Sequence, residues 1–116
     1  MKIGVCDDRK EIREIITGKI KKFYPAEQVT SYKSGQEVLD ESHLPDILLL
    51  DIQMPEMDGM ETAGKLRRRD KGMIIIFVTV AKDYVFQSFD VGAFHYLVKP
   101  FAEEKLAEVL QNAVRL

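Results

Sequence analysis

Two runs limit the folds open to this chain: "DILLL" at 46–50 and "MIIIFV" at 73–78. Each is apolar at odd and even positions alike, so a strand built from it has no face to offer water. Strands of that kind sit inside a parallel sheet covered by helices on both sides. The flanking sequence supplies those helices. "KIGVC" (2–6) reads as a further buried strand, and "QVTSY" (28–32) as a weaker, alternating one. Between them Ile12, Ile15, Ile16, Ile20 and Phe23 recur at helical spacing over 11–23, and Pro25 marks the stop. "SGQE" (34–37) has the Ser-x-x-Glu form that opens a helix, here a short one through Val38 and Leu39.

The second half continues the alternation. Residues 58 to about 69 read as a helix with Met60, Ala63 and Leu66 inward, and residues 81–91 as another, ended by Gly92. "AFHYLV" (93–98) is a fifth strand. A last helix follows Pro100, with Leu106, Val109, Leu110 and Ala113 on one face. Five strand–helix units in strict order predict an α/β fold: an open, doubly wound, five-stranded parallel sheet with helices on both faces. The 116 residues suit one domain, 1–116.

Totals exclude several functions. A formal net charge of −2 argues against a domain that holds nucleic acid by bulk electrostatics. The single cysteine, Cys6, excludes an internal disulfide. No apolar run approaches the roughly 20 residues that span a bilayer, so no membrane partner is expected. "MKIGVCDD" carries acids where a signal peptide stays apolar, which points to a cytoplasmic protein.

Ligand sites in doubly wound sheets lie beyond the carboxyl ends of the strands, near the reversal of strand order. The first strand exits into Asp7 and Asp8, the third into Asp51, the fourth into Thr79 and the fifth into Lys99. Each has an ordinary alternative. Asp8 with Glu11 has the form of a helix cap, as has Asp58 with Glu61; Thr79 is placed to cap the next helix; Lys99 alone reads as a solvated lysine. Asp51 resists such readings, because nothing in its apolar run asks for an acid. Three carboxylates about 5 Å apart repel by roughly 3 kcal/mol per pair at an effective dielectric near 20, so a fold that gathers them needs a cation. Oxygen donors without His or Cys favour a hard divalent ion, Mg²⁺ above all. A metal and the Lys99 ammonium around one carboxylate would stabilise a transferring phosphoryl group, with Asp51 as the nucleophile and Thr79 offering a hydroxyl.

These residues carry a resemblance. "CDD" (6–8), "LLLDIQMPEMDG" (48–59), "FVTV" (77–80) and "YLVKPF" (96–101), in this order and spacing, are similar to the receiver domain of two-component response regulators, over essentially the whole chain. The resemblance implies a flavodoxin-like sheet of order 2-1-3-4-5 and a phosphoacceptor Asp51 served by a sensor histidine kinase. It implies Mg²⁺ held by Asp8 and Asp51, by Asp7 through water, and by the Gln53 backbone carbonyl. Lys99 would contact the phosphoryl group, Thr79 and Tyr96 would form the switch pair, and the Lys99–Pro100 bond would be cis. The surface of the fourth helix, fifth strand and fifth helix would form a homodimer on phosphorylation. "FVTVAKDYVFQSFDVGAFHYLVKPF" (77–101) resembles receivers joined to LytTR-type DNA-binding domains. The expected function is therefore that of a phosphoacceptor rather than a substrate-turning enzyme. Nucleic acid would be reached only through an output domain that this chain lacks. A stand-alone receiver, acting as a phosphorelay or protein-binding messenger, is the alternative.

Departures and rivals sharpen the picture. Val80 stands where the family usually has a small residue, which predicts slow phosphoryl turnover. His95 reads as structural. A related aspartyl-phosphate phosphatase needs a second acid two residues beyond the nucleophile, where this chain has Gln53. A flavin site would want phosphate-cradling residues after the first strand, and "DDRKE" is electrostatically wrong for that. A degenerate receiver is disfavoured by the presence of Asp8, Asp51, Thr79 and Lys99. The basic run "KLRRRDK" (65–71) reads as a solvated helix end. Tyr84, Phe86 and Phe89 cannot all face inward on one helix, so at least one is expected at the surface.

Overall fold

A computed structural model describes residues 1–116. Its elements follow the chain as β1 (Lys2–Cys6), α1 (Lys10–Phe23), β2 (Gln28–Tyr32), α2 (Gly35–Leu39), β3 (Ile47–Leu50), α3 (Gly59–Arg69), β4 (Ile74–Thr79), α4 (Val85–Asp90), β5 (His95–Val98) and α5 (Glu103–Val114). The five strands form one parallel sheet in the order β2-β1-β3-β4-β5. The two runs that restricted the fold become its centre: all four residues of β3 are at most 1% exposed, and β4 is nearly as dry.

Each sheet face has its own core. Ile3, Val5, Leu49, Ile76 and Val78 meet Ile16 and Ile20 of α1 and Leu106, Val109, Leu110 and Ala113 of α5. Cys6, Leu48, Leu50, Ile75 and Phe77 meet Val38, Ala63 and Leu66 on the other side. Each fully buried Ile or Leu contributes about 2 kcal/mol through removal from water. This period-2 division of the strands between two helical layers is what their two-faced apolarity requires.

Helix ends follow local chemistry. Ser34 Oγ accepts from Glu37 N at 3.2 Å, while Glu37 Oε1 accepts from Lys33 N at 2.8 Å, so the capping pair reaches one residue further back than usual. Asp58 Oδ1 accepts from Glu61 N at 2.8 Å, a cap contributing about 1 kcal/mol. Gly92 ends the α4 segment with φ +63°, its N–H donating to Phe89 O.

Three local readings differ from expectation. Helix α4 spans only Val85–Asp90, not 81–91, because the backbone of Ala81 is committed to Thr79 and Tyr96 instead of a helical ladder. Ile15 leaves the apolar stripe of α1 and is 54% exposed, since the sheet is already covered by Ile16 and Ile20. The basic end of α3 is tied down: Arg67 donates to Val91 O and Gly92 O, and Arg69 donates to Leu39 O and Glu41 O. These arginines satisfy carbonyls at the ends of neighbouring elements, which a solvated reading did not foresee.

Candidate functional site

Strand order reverses between β1 and β3, and Cys6 stands opposite Leu50. The next residues of the two strands, Asp7 and Asp51, therefore leave the sheet at one level. Backbone bonds fix them: Asp51 N donates to Cys6 O at 3.0 Å, and Asp7 N to Tyr32 O at 3.1 Å. Asp7 and Asp51 are 1% and 3% exposed, whereas Asp8 faces solvent. One carboxylate oxygen from each of the three lies within 4.8 Å of the others. Asp8 makes no cap; the N-cap of α1 is Arg9, with no side-chain bond.

Close packing behind Asp51 holds it there. Gly59 N donates to Ile52 O at 2.8 Å, and a Cβ at 59 would overlap Asp51 O and lie 2.7 Å from Ile52 Cα. The first turn of α3 thus rests directly on the backbone of the acid.

Cations enter from two directions. Lys99 follows β5; its N–H donates to Thr79 O at 2.8 Å, and the Lys99–Pro100 bond is cis. Its Nζ donates to Asp7 Oδ2 at 2.7 Å and lies 3.7 Å from Asp51 Oδ2. Arg9 was not foreseen. Its Nε lies 3.5 Å from Asp7 Oδ1, and its Nη2 3.7 Å from Asp51 Oδ2. The available signal was its place directly after two acids, but a basic residue opening a helix is otherwise unremarkable.

Burial pushes the Asp51 carboxyl above its ordinary range; Lys99 and the Thr79 hydroxyl pull it down, Asp7 pushes it up, and the Gln53 N–H, 3.3 Å from Asp51 Oδ1, pulls it down. Burial is the largest of these. Such a carboxylate is more basic than an exposed one, and so the better nucleophile when ionised. Cys6 is no ligand: its Sγ points at Met54 Sδ, 3.7 Å away, and burial drives its pKa to about 12. Oxygen donors alone line the cluster, which can hold a metal ion of the hard kind.

Thr79 is fully buried, and its Oγ1 accepts from Ala81 N at 3.2 Å; it caps no helix. The carbonyl of the same Ala81 accepts from the Tyr96 hydroxyl at 2.5 Å. Thr79 and Tyr96 are thus joined through the backbone of one residue. Tyr96 also packs on Phe77, centroids 5.9 Å apart. His95 Nδ1 accepts from Tyr96 N, in keeping with a structural role. Of the aromatics near α4, Tyr84 packs against the core, while Phe86 and Phe89 are 83% and 70% exposed.

The family model described as "Response regulator receiver domain" matches residues 3–111. The chain belongs to the response regulator receiver family. Receiver domains are signalling domains. Among curated receivers, this one is 37% identical over 99% of its length to the positive alginate biosynthesis regulatory protein of Pseudomonas aeruginosa. It is 32% identical over 97% of its length to the sensory transduction protein LytT of Oceanobacillus iheyensis. It covers 48% and 47% of those proteins, so the chain spans about half the length of the curated relatives it matches. Among solved receivers, the response regulator TrrA of Thermotoga maritima, in complex with Mg²⁺-BeF, aligns with a TM-score of 0.86 at 30% identity, covering 97% of both chains. The response regulatory domain of mrkE from Klebsiella pneumoniae aligns at 0.91 and 24% identity, covering 99% of this chain and 96% of that one; it speaks to the fold.

Proposed function

We propose that this receiver takes a phosphoryl group from a sensor histidine kinase onto Asp51 in a Mg²⁺-dependent reaction and passes the change to its α4-β5-α5 surface. The reading rests above all on the convergence of Asp7, Asp8 and Asp51 within 4.8 Å with the Lys99 ammonium against two of them. The oxygen-only donor set fits Mg²⁺, held by Asp8 and Asp51 directly, by Asp7 through water and by the Gln53 carbonyl. Both oxygens of Asp7 already receive protein donors, which suits an indirect role. Bound there, Mg²⁺ would supply charge neutralisation for the phosphoryl oxygens.

The chain's own groups do the rest. An Asp51 oxygen bonds to phosphorus as the N–P bond of the phosphohistidine breaks, and that electron pair leaves with the imidazole. Lys99 faces the new dianion. Thr79 Oγ1 turns to a phosphoryl oxygen and gives up Ala81 N, which loosens the carbonyl that Tyr96 holds. Tyr96 then repacks, and the exposed Phe86 and Phe89 face becomes the homodimer or output surface. A cleft of about 340 Å³ beside Lys99, in which Ile12, Ile15, Val80 and Phe101 stand with Arg9 and Lys19, offers the kinase an apolar patch with a basic rim. The similarity to LytT supports transcriptional output through a LytTR-type DNA-binding domain.

Incubation with acetyl phosphate and Mg²⁺, followed by intact mass and sizing, tests the reading. The expected result is one hydroxylamine-labile phosphoryl adduct, absent from Asp51→Asn. No adduct on the wild type, or an undiminished one on the variant, overturns it.

A further inference from the structure

The two cations of the site are held very differently. Lys99 is 11% exposed and tied at 2.7 Å to Asp7. Arg9 has its backbone pinned, N–H to Asp7 Oδ1 at 2.9 Å, but its side chain is 46% exposed and reaches its two acids only at 3.5 and 3.7 Å. Those distances are attraction without the short forked hydrogen bonds that an arginine–carboxylate pair forms when settled. By contrast Arg13, one turn on, donates to the Asp7 carbonyl at 2.8 Å and is committed. Arg9 is therefore a loose positive charge lying across Asp7 and Asp51.

We infer that Arg9 is a displaceable latch: it spans Asp7 and Asp51 in the cation-free state and competes with the divalent ion for them, so that it sets the site's cation affinity. The inference rests on the receiver reading above. With Arg9 and Lys99 in place, three carboxylates face two positive charges, and the drive to take up a divalent cation is weak. With Arg9 swung out, the remaining charges match a divalent ion. A guanidinium does not deprotonate at any working pH, so it makes room only by moving. Its exposure shows that solvent is there to receive it. The same residue is then free to meet the phosphoryl dianion from the solvent side.

Isothermal titration of the whole chain with Mg²⁺ tests the latch. Arg9→Ala and Arg9→Gln are expected to bind Mg²⁺ about tenfold more tightly than the wild type, with the gap narrowing as salt rises. Arg9→Lys, which keeps the charge, is expected to return toward the wild-type value. In thermal melts, saturating Mg²⁺ should raise the melting temperature more in Arg9→Ala than in the wild type, because the unlatched acids are left unneutralised without metal. Equal or weaker Mg²⁺ binding by folded Arg9→Ala overturns the inference. Failure of the receiver reading shows separately, as a wild-type protein that takes no phosphoryl group from acetyl phosphate.

Discussion

Lys99 Nζ stands 2.7 Å from Asp7 Oδ2 and 3.7 Å from Asp51 Oδ2. The ammonium is hydrogen-bonded to one buried acid and only faces the other, so Asp7 holds the closer counter-charge and Asp51 the looser one. Lys99→Ala leaves Asp7, 1% exposed, without its closest counter-charge, and is expected to cost about 3 kcal/mol in urea unfolding. Asp7→Asn in the same chain should recover most of that loss. Simple additivity of the two substitutions would show that the pair is not coupled.

Asp51 predicts an opposite sign. A carboxyl whose folded pKa is raised binds its proton more tightly in the folded protein, so its support for folding is complete below the unfolded value of 3.8 and is lost as pH rises through the folded value. At neutral pH the ionised acid costs stability, and Asp51→Asn should be the more stable protein by about 1 kcal/mol, a melting temperature roughly 4 °C higher. The difference should shrink toward acid pH. A neutral-pH melt in which Asp51→Asn is the less stable protein contradicts the assignment of burial as the dominant cause.

Val80 is half exposed on the cleft wall beside Lys99. On the proposed reading, its branched side chain would restrict the approach of water or a phosphatase to an acyl phosphate at Asp51. Val80→Ala should shorten the life of the Asp51 phosphate by up to about tenfold, equivalent to about 1.4 kcal/mol of barrier. An unchanged decay of label sinks the idea.

Phe86 and Phe89 stand in solvent and support no core. Replacing both with Asp should alter stability by under about 0.5 kcal/mol while keeping the phosphorylated protein monomeric on sizing. Dimers that persist in the phosphorylated double variant would place the interface elsewhere.

How far the sequence disclosed these features depended on the kind of signal. Apolar runs such as Ile47–Leu50 and Ile74–Thr79 announce a buried parallel sheet, because strand period and two-sided dryness are both written in residue type. Asp7, Asp8 and Asp51 were legible as a cluster because topology brings two strand ends together. Helix α4 was read about one turn of sequence too far forward, since nothing in residues 81–84 announces that the Ala81 backbone is shared between Thr79 and Tyr96. Arg9 was missed for a related reason: a long, half-exposed side chain declares its partner only through the direction in which it reaches. Ile15, counted with the core by period, belongs to the cleft instead, because a periodic stripe is wider than the contact it makes.

Gly59 lets α3 touch the backbone of Asp51, with no room there for a β-carbon. The acid proposed to take the phosphoryl group is thereby braced from behind by a neighbour that contributes no functional group at all. Alanine at 59 would force the helix start and the strand end apart, and the carboxylate would drift from Asp8 and Lys99 though each remained in the chain. A sequence can keep Asp7, Asp8, Asp51, Thr79 and Lys99 and still lose its site by gaining one methyl group.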